Sequence, residues 1–323
     1  MIEPTLDIHL TDSDLDAALR SDARTGLTST PKSLPPKWFY DARGSELFEA
    51  ITALPEYYPT RTERALLERV VGEIARTAQA EVLVELGSGS AAKTRLLLSA
   101  LLSEGPLKTY VPQDVSVSAL RGAAQQVGAE FPSLAVHGVV SDFTDTLHNL
   151  PRGGRRMIAF LGGTIGNMVA AERAEFLGGI QQVLEPGEQL LLGAGLVTDP
   201  AILVPAYDDA AGVTAEFNRN VLHVLNSRLP ADFDPDSFDH IAHWDADNEW
   251  IEMRLRATRA MTVTVADLDL TVDFAEGEQM RTEISAKFRV DGLTAELAAA
   301  GFDTEQVWTD SDDRFALVLA GRR

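Results

Sequence analysis

The run Val82-Leu-Val-Glu-Leu-Gly-Ser-Gly-Ser-Ala-Ala-Lys-Thr94 puts an acid, two glycines and a lysine where an apolar strand gives way to a polar helix start. Such a turn offers bare backbone at the carboxyl end of a strand, where parallel sheets receive nucleoside-bearing ligands. Two glycines can equally serve a tight turn that binds nothing. Asp114 closes a second apolar run and Asp142-Phe143 follow a third, so with Gly87 three successive strand ends converge on one crevice. A carboxylate after the second strand can accept ribose hydroxyls. Asp142 can accept from an adenine amino group, with Phe143 beside it to stack. Aspartates also end strands as turn residues and helix caps, so the argument rests on the three together rather than on any one.

The turn also bears on which ligand. A nicotinamide cofactor sets its pyrophosphate on the helix N-terminus and usually brings a third glycine, whereas this turn continues Ser90-Ala91-Ala92-Lys93. S-adenosylmethionine brings an amino-acid carboxylate and a sulfonium instead. Lys93 is then either the partner of that carboxylate or a solvated first-turn lysine.

Elements that would hold these residues follow from periodicity. Glu63 to Gln79 has helical spacing, and βα alternation then begins: strand 82–86, helix 93–103, strand 108–112, helix 116–128, strand 135–140, strand 156–161, helix 171–184 and strand 189–193. That alternation predicts a parallel sheet with helices on both faces. Residues 12–27 read as a surface helix, and Lys37 to Arg61 concentrates aromatics and prolines where a disordered linker would have few. After Leu196 the rhythm changes: 200–226 reads as helical and Trp250 to Phe288 as β, with Ile251, Met253, Leu255 and Ala257 alternating with polar residues. The run Leu293–Phe302 reads as a helix with a glycine stop, and two strands, 304–308 and 314–320, close the chain.

Composition excludes several classes. The 323 residues carry 28 Lys plus Arg against 49 Asp plus Glu, a net charge of −21 that repels phosphate backbones and anionic membranes. No nucleic-acid partner is expected, and the same charge favours a monomer at low salt. With no cysteine there is no thiolate nucleophile, disulfide or Cys-metal site, a composition that fits a reducing cytoplasm. Met1 to Leu10 lacks the apolar core of a signal peptide, and no apolar run is long enough to span a bilayer. His240 and His243 are three apart without an evident third ligand, so no metal is expected.

A final helix followed by a hairpin resembles the ending of the seven-stranded methyltransferase sheet, which makes 197–288 an insertion. The runs Ser33-Leu-Pro-Pro-Lys-Trp-Phe-Tyr-Asp41, Leu54-Pro-Glu-Tyr-Tyr-Pro-Thr-Arg-Thr-Glu63, Glu85-Leu-Gly-Ser-Gly89, Phe160-Leu-Gly162, Thr164-Ile-Gly-Asn167, Ala206-Tyr-Asp-Asp209, Phe217-Asn-Arg-Asn220 and Glu283-Ile-Ser285 extend the likeness over nearly the whole chain. Together they resemble the histidine-specific Nα-methyltransferase of ergothioneine biosynthesis. The resemblance implies an α/β fold, a class I (Rossmann-like) methyltransferase domain over 62–196 and 289–323, and an α+β substrate-recognition domain over 1–61 and 197–288. It implies that Gly87, Lys93, Asp114, Asp142 and Phe143 hold S-adenosylmethionine. It further implies that Tyr57, Asn167, Tyr207, Glu283 and Ser285 hold histidine, with Tyr40, Phe48, Gly162 and Met253 lining the same pocket and Tyr40 positioning the amine. The reaction implied is three methyl transfers to the α-amine, giving hercynine.

Glu283 and Ser285 are two apart on an expected strand and so face one way, a carboxylate and a hydroxyl able to meet both imidazole nitrogens. A strand whose polar side faces water would read the same. Some positions depart from the family pattern: Ser90-Ala91-Ala92 stands in place of Thr-Ser-Glu, Gly163 in place of a frequent serine, and Gly193-Ala-Gly-Leu196 lacks an aspartate, so no contact is carried over from that loop. Two rivals stay open: a related enzyme for another aromatic amino acid such as a tryptophan derivative, and a non-catalytic S-adenosylmethionine-binding protein.

Overall fold

The computed structural model describes residues 3–88, 93–143 and 147–323. The chain separates into two compact units, one made of Met1–Thr11, Thr62–Leu196 and Phe288–Arg323, the other of Asp12–Arg61 and Val197–Lys287. In chain order the first half holds β1 (Thr5–Ile8), α1 (Asp12–Thr28), α2 (Ala42–Thr52), α3 (Tyr58–Ala78), β2 (Val82–Leu86), α4 (Thr94–Glu104), β3 (Thr109–Asp114), α5 (Val117–Glu130), β4 (Ala135–Val140) and β5 (Arg156–Phe160). Then come α6 (Ala170–Val183), β6 (Gln189–Gly195), α7 (Pro200–Tyr207), α8 (Val213–Arg228), β7 (Phe238–Asp245), β8 (Trp250–Ala257), β9 (Met261–Val265) and β10 (Leu270–Phe274). The chain closes with β11 (Gln279–Ala286), α9 (Val290–Ala299), β12 (Phe302–Thr309) and β13 (Phe315–Arg322).

In the first unit one sheet runs β1-β4-β3-β2-β5-β6-β13-β12. It is parallel except for β13, which lies antiparallel between β6 and β12. Every residue of β2 and β5 is buried, as expected of parallel strands covered on both faces by helices. Leu83, Leu97, Leu101, Tyr110, Met157 and Leu191 are among the side chains that fill the core. Chain order reverses between β3 and β5, on either side of β2, so the carboxyl end of β2 is the topological switch point.

The sheet has eight strands rather than seven. β1 pairs in parallel with β4, from Thr5 opposite His137 to Ile8 opposite Val140. Thr5 Oγ1 and Asp7 Oδ2 bond the two ring nitrogens of His137 at 2.8 and 2.9 Å. The first eleven residues therefore belong to the first unit and not, as read from sequence, to the second one. Phe288 joins them, its N–H donating to Gly195 O at 2.9 Å.

The second unit contains the antiparallel sheet β11-β8-β7, the hairpin β9-β10 and four helices. Phe39, Phe217, Phe238, Leu255, Phe274 and Met280 are part of its apolar core. The single helical stretch expected over 200–226 is broken in two, because the Asp209 carboxylate accepts the N–H groups of Val213 and Thr214 at 3.0 and 2.7 Å and starts α8. On β11 a bulge between Arg281 and Glu283 sets Thr282 out of register, its hydroxyl donating to Asn218 Oδ1 and Met253 O. Beyond the bulge Glu283 stands opposite Met253 and Ser285 opposite Ile251.

Candidate active site

In the first unit, buried hydrogen bonds tie the strand ends together. Glu85, the acid of the glycine turn, accepts from Thr94 Oγ1 at 2.8 and 2.7 Å and from the Tyr110 hydroxyl at 2.6 Å. Burial pushes its carboxyl up to about 6, against the pull of Tyr110 and Thr94. Glu85 thus clamps β2 to the first turn of α4 and to β3. Gln113 does the same for the loops: its Oε1 accepts Gly87 N–H at 3.3 Å, and its Nε2 donates to Ser141 O and to Ser141 Oγ. Gly87, Asp114 and Asp142 are each held by, or adjacent to, a residue of that clamp.

Gly87 has φ +66°, a left-handed conformation that glycine adopts without strain, and the Phe143 ring lies against the space a Cβ would fill. Phe143 itself packs edge-on against Phe160 and Phe176, with ring centroids 5.2 and 5.8 Å away. Asp114 Oδ1 accepts Ser116 N–H at 3.0 Å, so this carboxylate shapes its own turn at the end of β3. Asp142 is half-buried. Gly89 and Ser90 to Ala92 lie outside the described residues.

Lys93 is not a solvated first-turn lysine. Its ammonium pairs with Glu63, whose side chain is fully enclosed, and Glu63 Oε1 also accepts Gly162 N–H at 2.7 Å. A Cβ at Gly193 would overlap Glu63 Oε1, so that glycine makes room for the carboxylate. The Phe160-Leu-Gly162 turn continues through Gly162 and Gly163, with φ +83° and +70°, into a short helical turn that ends at half-buried Asn167. This group fits S-adenosylmethionine: bare backbone at a positive-φ glycine, a fixed ammonium for a carboxylate, acids for hydroxyls and an amine, and an aromatic ring.

In the second unit a line of rings joins most of the expected histidine residues. Centroids are 5.6 Å apart for Tyr40 and Phe48, 6.2 Å for Phe48 and Tyr57, and 6.2 Å for Tyr57 and Tyr207, all near edge-on. Arg61 holds the Tyr57 turn by donating to the carbonyls of Leu54, Pro55 and Tyr57 at 2.6, 2.7 and 3.0 Å. Tyr207, at the C-terminus of α7, has its carbonyl bonded to His240 Nε2 at 2.8 Å, while Asn218 Nδ2 bonds His240 Nδ1. Both nitrogens of His240 are thereby engaged in structure.

Tyr207 and Ser285 are hydrogen-bonded at 2.7 Å, and Lys287 Nζ donates to both, at 2.9 and 2.6 Å. Glu283, across the sheet from buried Met253, is pushed up to about 7 by burial, with Lys287 opposing. Lys287 is pulled down to about 7 by burial, with Glu283 opposing. Burial, then Glu283, also raises the Tyr207 phenol, so it stays protonated as a hydrogen-bonding group and does not serve as a base near neutrality.

Tyr40, Phe48, Tyr57, Tyr207, Met253, Glu283 and Ser285 thus gather in the second unit, while Gly162 and Asn167 belong to the first together with Gly87 and Lys93. Sequence reasoning missed Glu63, Gln113 and Lys287 as parts of these groups. Glu63 stood in a quoted run, and Lys287 lies two residues past Ser285 on an otherwise buried strand end; Gln113 carried no signal beyond preceding Asp114.

The strand order, its closing antiparallel hairpin and the clamped loops at the switch point define a class I S-adenosylmethionine-dependent methyltransferase. Among solved structures, the PH0226 protein from Pyrococcus horikoshii aligns with a TM-score of 0.50 at 12% identity, covering 88% of this chain and 100% of that one, a likeness of fold alone. A family model described as histidine-specific methyltransferase, SAM-dependent, matches residues 19–322. The chain is 55% identical to a histidine N-alpha-methyltransferase from Mycolicibacterium smegmatis, with 94% of this chain and 95% of the relative covered. It is 52% identical to a protein of the same description from Mycobacterium tuberculosis, with 97% and 98% covered. The chain belongs to the family of S-adenosylmethionine-dependent, histidine-specific methyltransferases.

Proposed function

We propose that the protein transfers three methyl groups in succession to the α-amine of L-histidine, yielding the betaine hercynine, as the first step of ergothioneine biosynthesis. The observation that carries this reading is the pairing of a buried-edge carboxylate, Glu283, with the Ser285 hydroxyl on one strand face beside four aromatic rings. Carboxylate and hydroxyl match the two nitrogens of an imidazole.

In this reading Gly87, Lys93, Asp114, Asp142 and Phe143 hold S-adenosylmethionine, which supplies an electrophilic methyl on a sulfonium. Lys93 meets the carboxylate of the donor; Asp114 accepts ribose hydroxyls; Asp142 and Phe143 take the adenine. Tyr57 holds the substrate carboxylate, Tyr207 serves the substrate site through the Ser285 hydroxyl it bonds, Phe48 and Met253 line the pocket, and Asn167 and Gly162 of the first unit are carried over from the family resemblance. Tyr40 orients the amine as a neutral phenol. The amine must be neutral to attack, and a neighbouring sulfonium disfavours its ammonium form, so the proton leaves to water without a dedicated base. Alignment of amine, methyl carbon and sulfur then accounts for most of the acceleration, for which effective molarity supplies roughly 7–11 kcal/mol. The acidic surface, 49 Asp plus Glu against 28 Lys plus Arg, supports a monomer at low salt.

The test is stoichiometry at limiting histidine. Three equivalents of S-adenosylhomocysteine per histidine are expected; one equivalent, or none, contradicts the reading.

A further inference from the structure

Lys287 is 7% exposed, and its Nζ donates to Ser285 Oγ at 2.6 Å and to the Tyr207 hydroxyl at 2.9 Å. Those hydroxyls also bond each other at 2.7 Å, which closes a triangle of polar groups, itself buried. An ammonium has donors only, so both oxygens accept from it. Each hydroxyl has one hydrogen; one of the two makes the bond between them and the other is left over. The phenol is the stronger acid, so Tyr207 donates and the remaining hydrogen is that of Ser285. Ser285 Oγ then accepts twice, from Lys287 and from Tyr207, which fills both of its lone pairs. Toward any third group it can only donate.

Glu283, two residues earlier on the same face, offers the opposite polarity. Among the described residues no hydrogen bond engages its carboxylate, which is an acceptor when ionised. We propose that Lys287 is a specificity-determining residue that fixes Ser285 as an obligate donor, so that the site selects a ring with one N–H for Glu283 and one lone-pair nitrogen for Ser285. That is the pattern of a single neutral tautomer of imidazole. A pyrrole or indole supplies the N–H but no lone pair, and an imidazolium meets the donor with a second N–H. Lys287 acts through Ser285 and is a positioning residue. Without its ammonium, Ser285 regains a lone pair and can adapt to either polarity. The inference rests on the reading of Glu283 and Ser285 as the imidazole contacts.

The experiment is calorimetric binding to the full chain loaded with S-adenosylhomocysteine, comparing histidine with the two pyrrolylalanines, each of which replaces one ring nitrogen by C–H. The native protein is expected to prefer histidine by about 30-fold or more, since a site built around a substrate polar group rejects the analogue lacking it. Lys287→Met is expected to narrow that ratio to about 3-fold, and Lys287→Arg to keep it wide. Damage that is merely structural weakens all three ligands alike and leaves the ratio unchanged, and that result for Lys287→Met overturns the proposal. A native protein that binds all three equally overturns instead the underlying assignment of Glu283 and Ser285. A second measurement needs no variant: nitrogen-15 NMR of ring-labelled histidine bound to the native protein should show one protonated and one unprotonated ring nitrogen. Two protonated nitrogens overturn the proposal whatever the variants do.

Discussion

The carboxylate of Glu63, fully enclosed on α3, accepts the backbone N–H of Gly162 at 2.7 Å. Its other oxygen pairs with Lys93, so one buried acid holds a glycine assigned to the amino-acid site and a lysine assigned to the methyl donor. Glu63→Ala leaves the amide without its acceptor and the ammonium without its counter-ion. Breaking a buried pair costs about 3–5 kcal/mol, and because Lys93 keeps 23% of its side chain exposed the lower part of that range, about 3 kcal/mol, is expected. Thermal unfolding should show a clearly lowered Tm, and kcat/KM for S-adenosylmethionine should fall at least about tenfold. Gly193→Ala, whose Cβ overlaps Glu63 Oε1, should give the same phenotype. An unchanged Tm in both variants would count against the anchor.

Gln113 joins three loops through Gly87 N–H, its own strand and Ser141. Gln113→Leu fills similar space but takes the side-chain donor from buried Ser141 O, at about 1–3 kcal/mol, and the second of two acceptors from Gly87 N–H, which keeps its bond to the Gln113 carbonyl. Affinity for S-adenosylhomocysteine should drop about tenfold or more while the unit stays folded, as calorimetry and circular dichroism would report. Unaltered affinity would mean that the clamp has no bearing on the donor site.

Glu283 accounts for the choice of ring. Glu283→Ala should reduce kcat/KM for histidine by about 100-fold, the effect of losing a charge-assisted hydrogen bond of about 1.5–3 kcal/mol, and should spare any trace activity on tryptophan. Equal proportional losses on the two amino acids would contradict the assignment.

The same pair sets a pH dependence. Glu283, raised to about 7, loses its acceptor charge as pH falls through that value, and Lys287, lowered to about 7, loses its donor charge as pH rises through it. Histidine affinity should therefore peak near neutrality and decline on both sides, with apparent pKa values that belong to the coupled pair. The Tyr207 phenol, which accepts from Lys287, is held protonated across this range. Because the imidazole of the free ligand also titrates near 6.5, Glu283→Gln is the comparison that isolates the protein's share. That variant should lose most of the acid limb and retain the alkaline one; identical profiles would rule the mechanism out.

Much of this was legible because it is local. The apolar runs of β2 to β6 mark buried parallel strands, and the glycine turn, Asp114 and Asp142-Phe143 follow from where those runs stop. The return of βα rhythm after Phe288 marks the insertion for the same reason. What escaped was non-local or polar. β1 is an edge strand with charged residues and is defined only by its pairing to β4, some 130 residues away. Glu63 reaches Gly162 across 99 positions, and no spacing rule announces such a contact. Lys287, a lysine just past a strand, has the look of a solvated residue; its burial depends on Tyr207 and Ser285 accepting from it. Asp209 hides a cap inside helical composition, so α7 and α8 read as one helix.

The central claim is that histidine, and histidine alone among the amino acids, is the methyl acceptor. The most direct test incubates the protein and S-adenosylmethionine with each of the twenty amino acids and follows each by mass spectrometry. A gain of three methyl groups on histidine, with the other nineteen unmodified, is the predicted result. Unmodified histidine, or equal methylation of another aromatic amino acid, would contradict it.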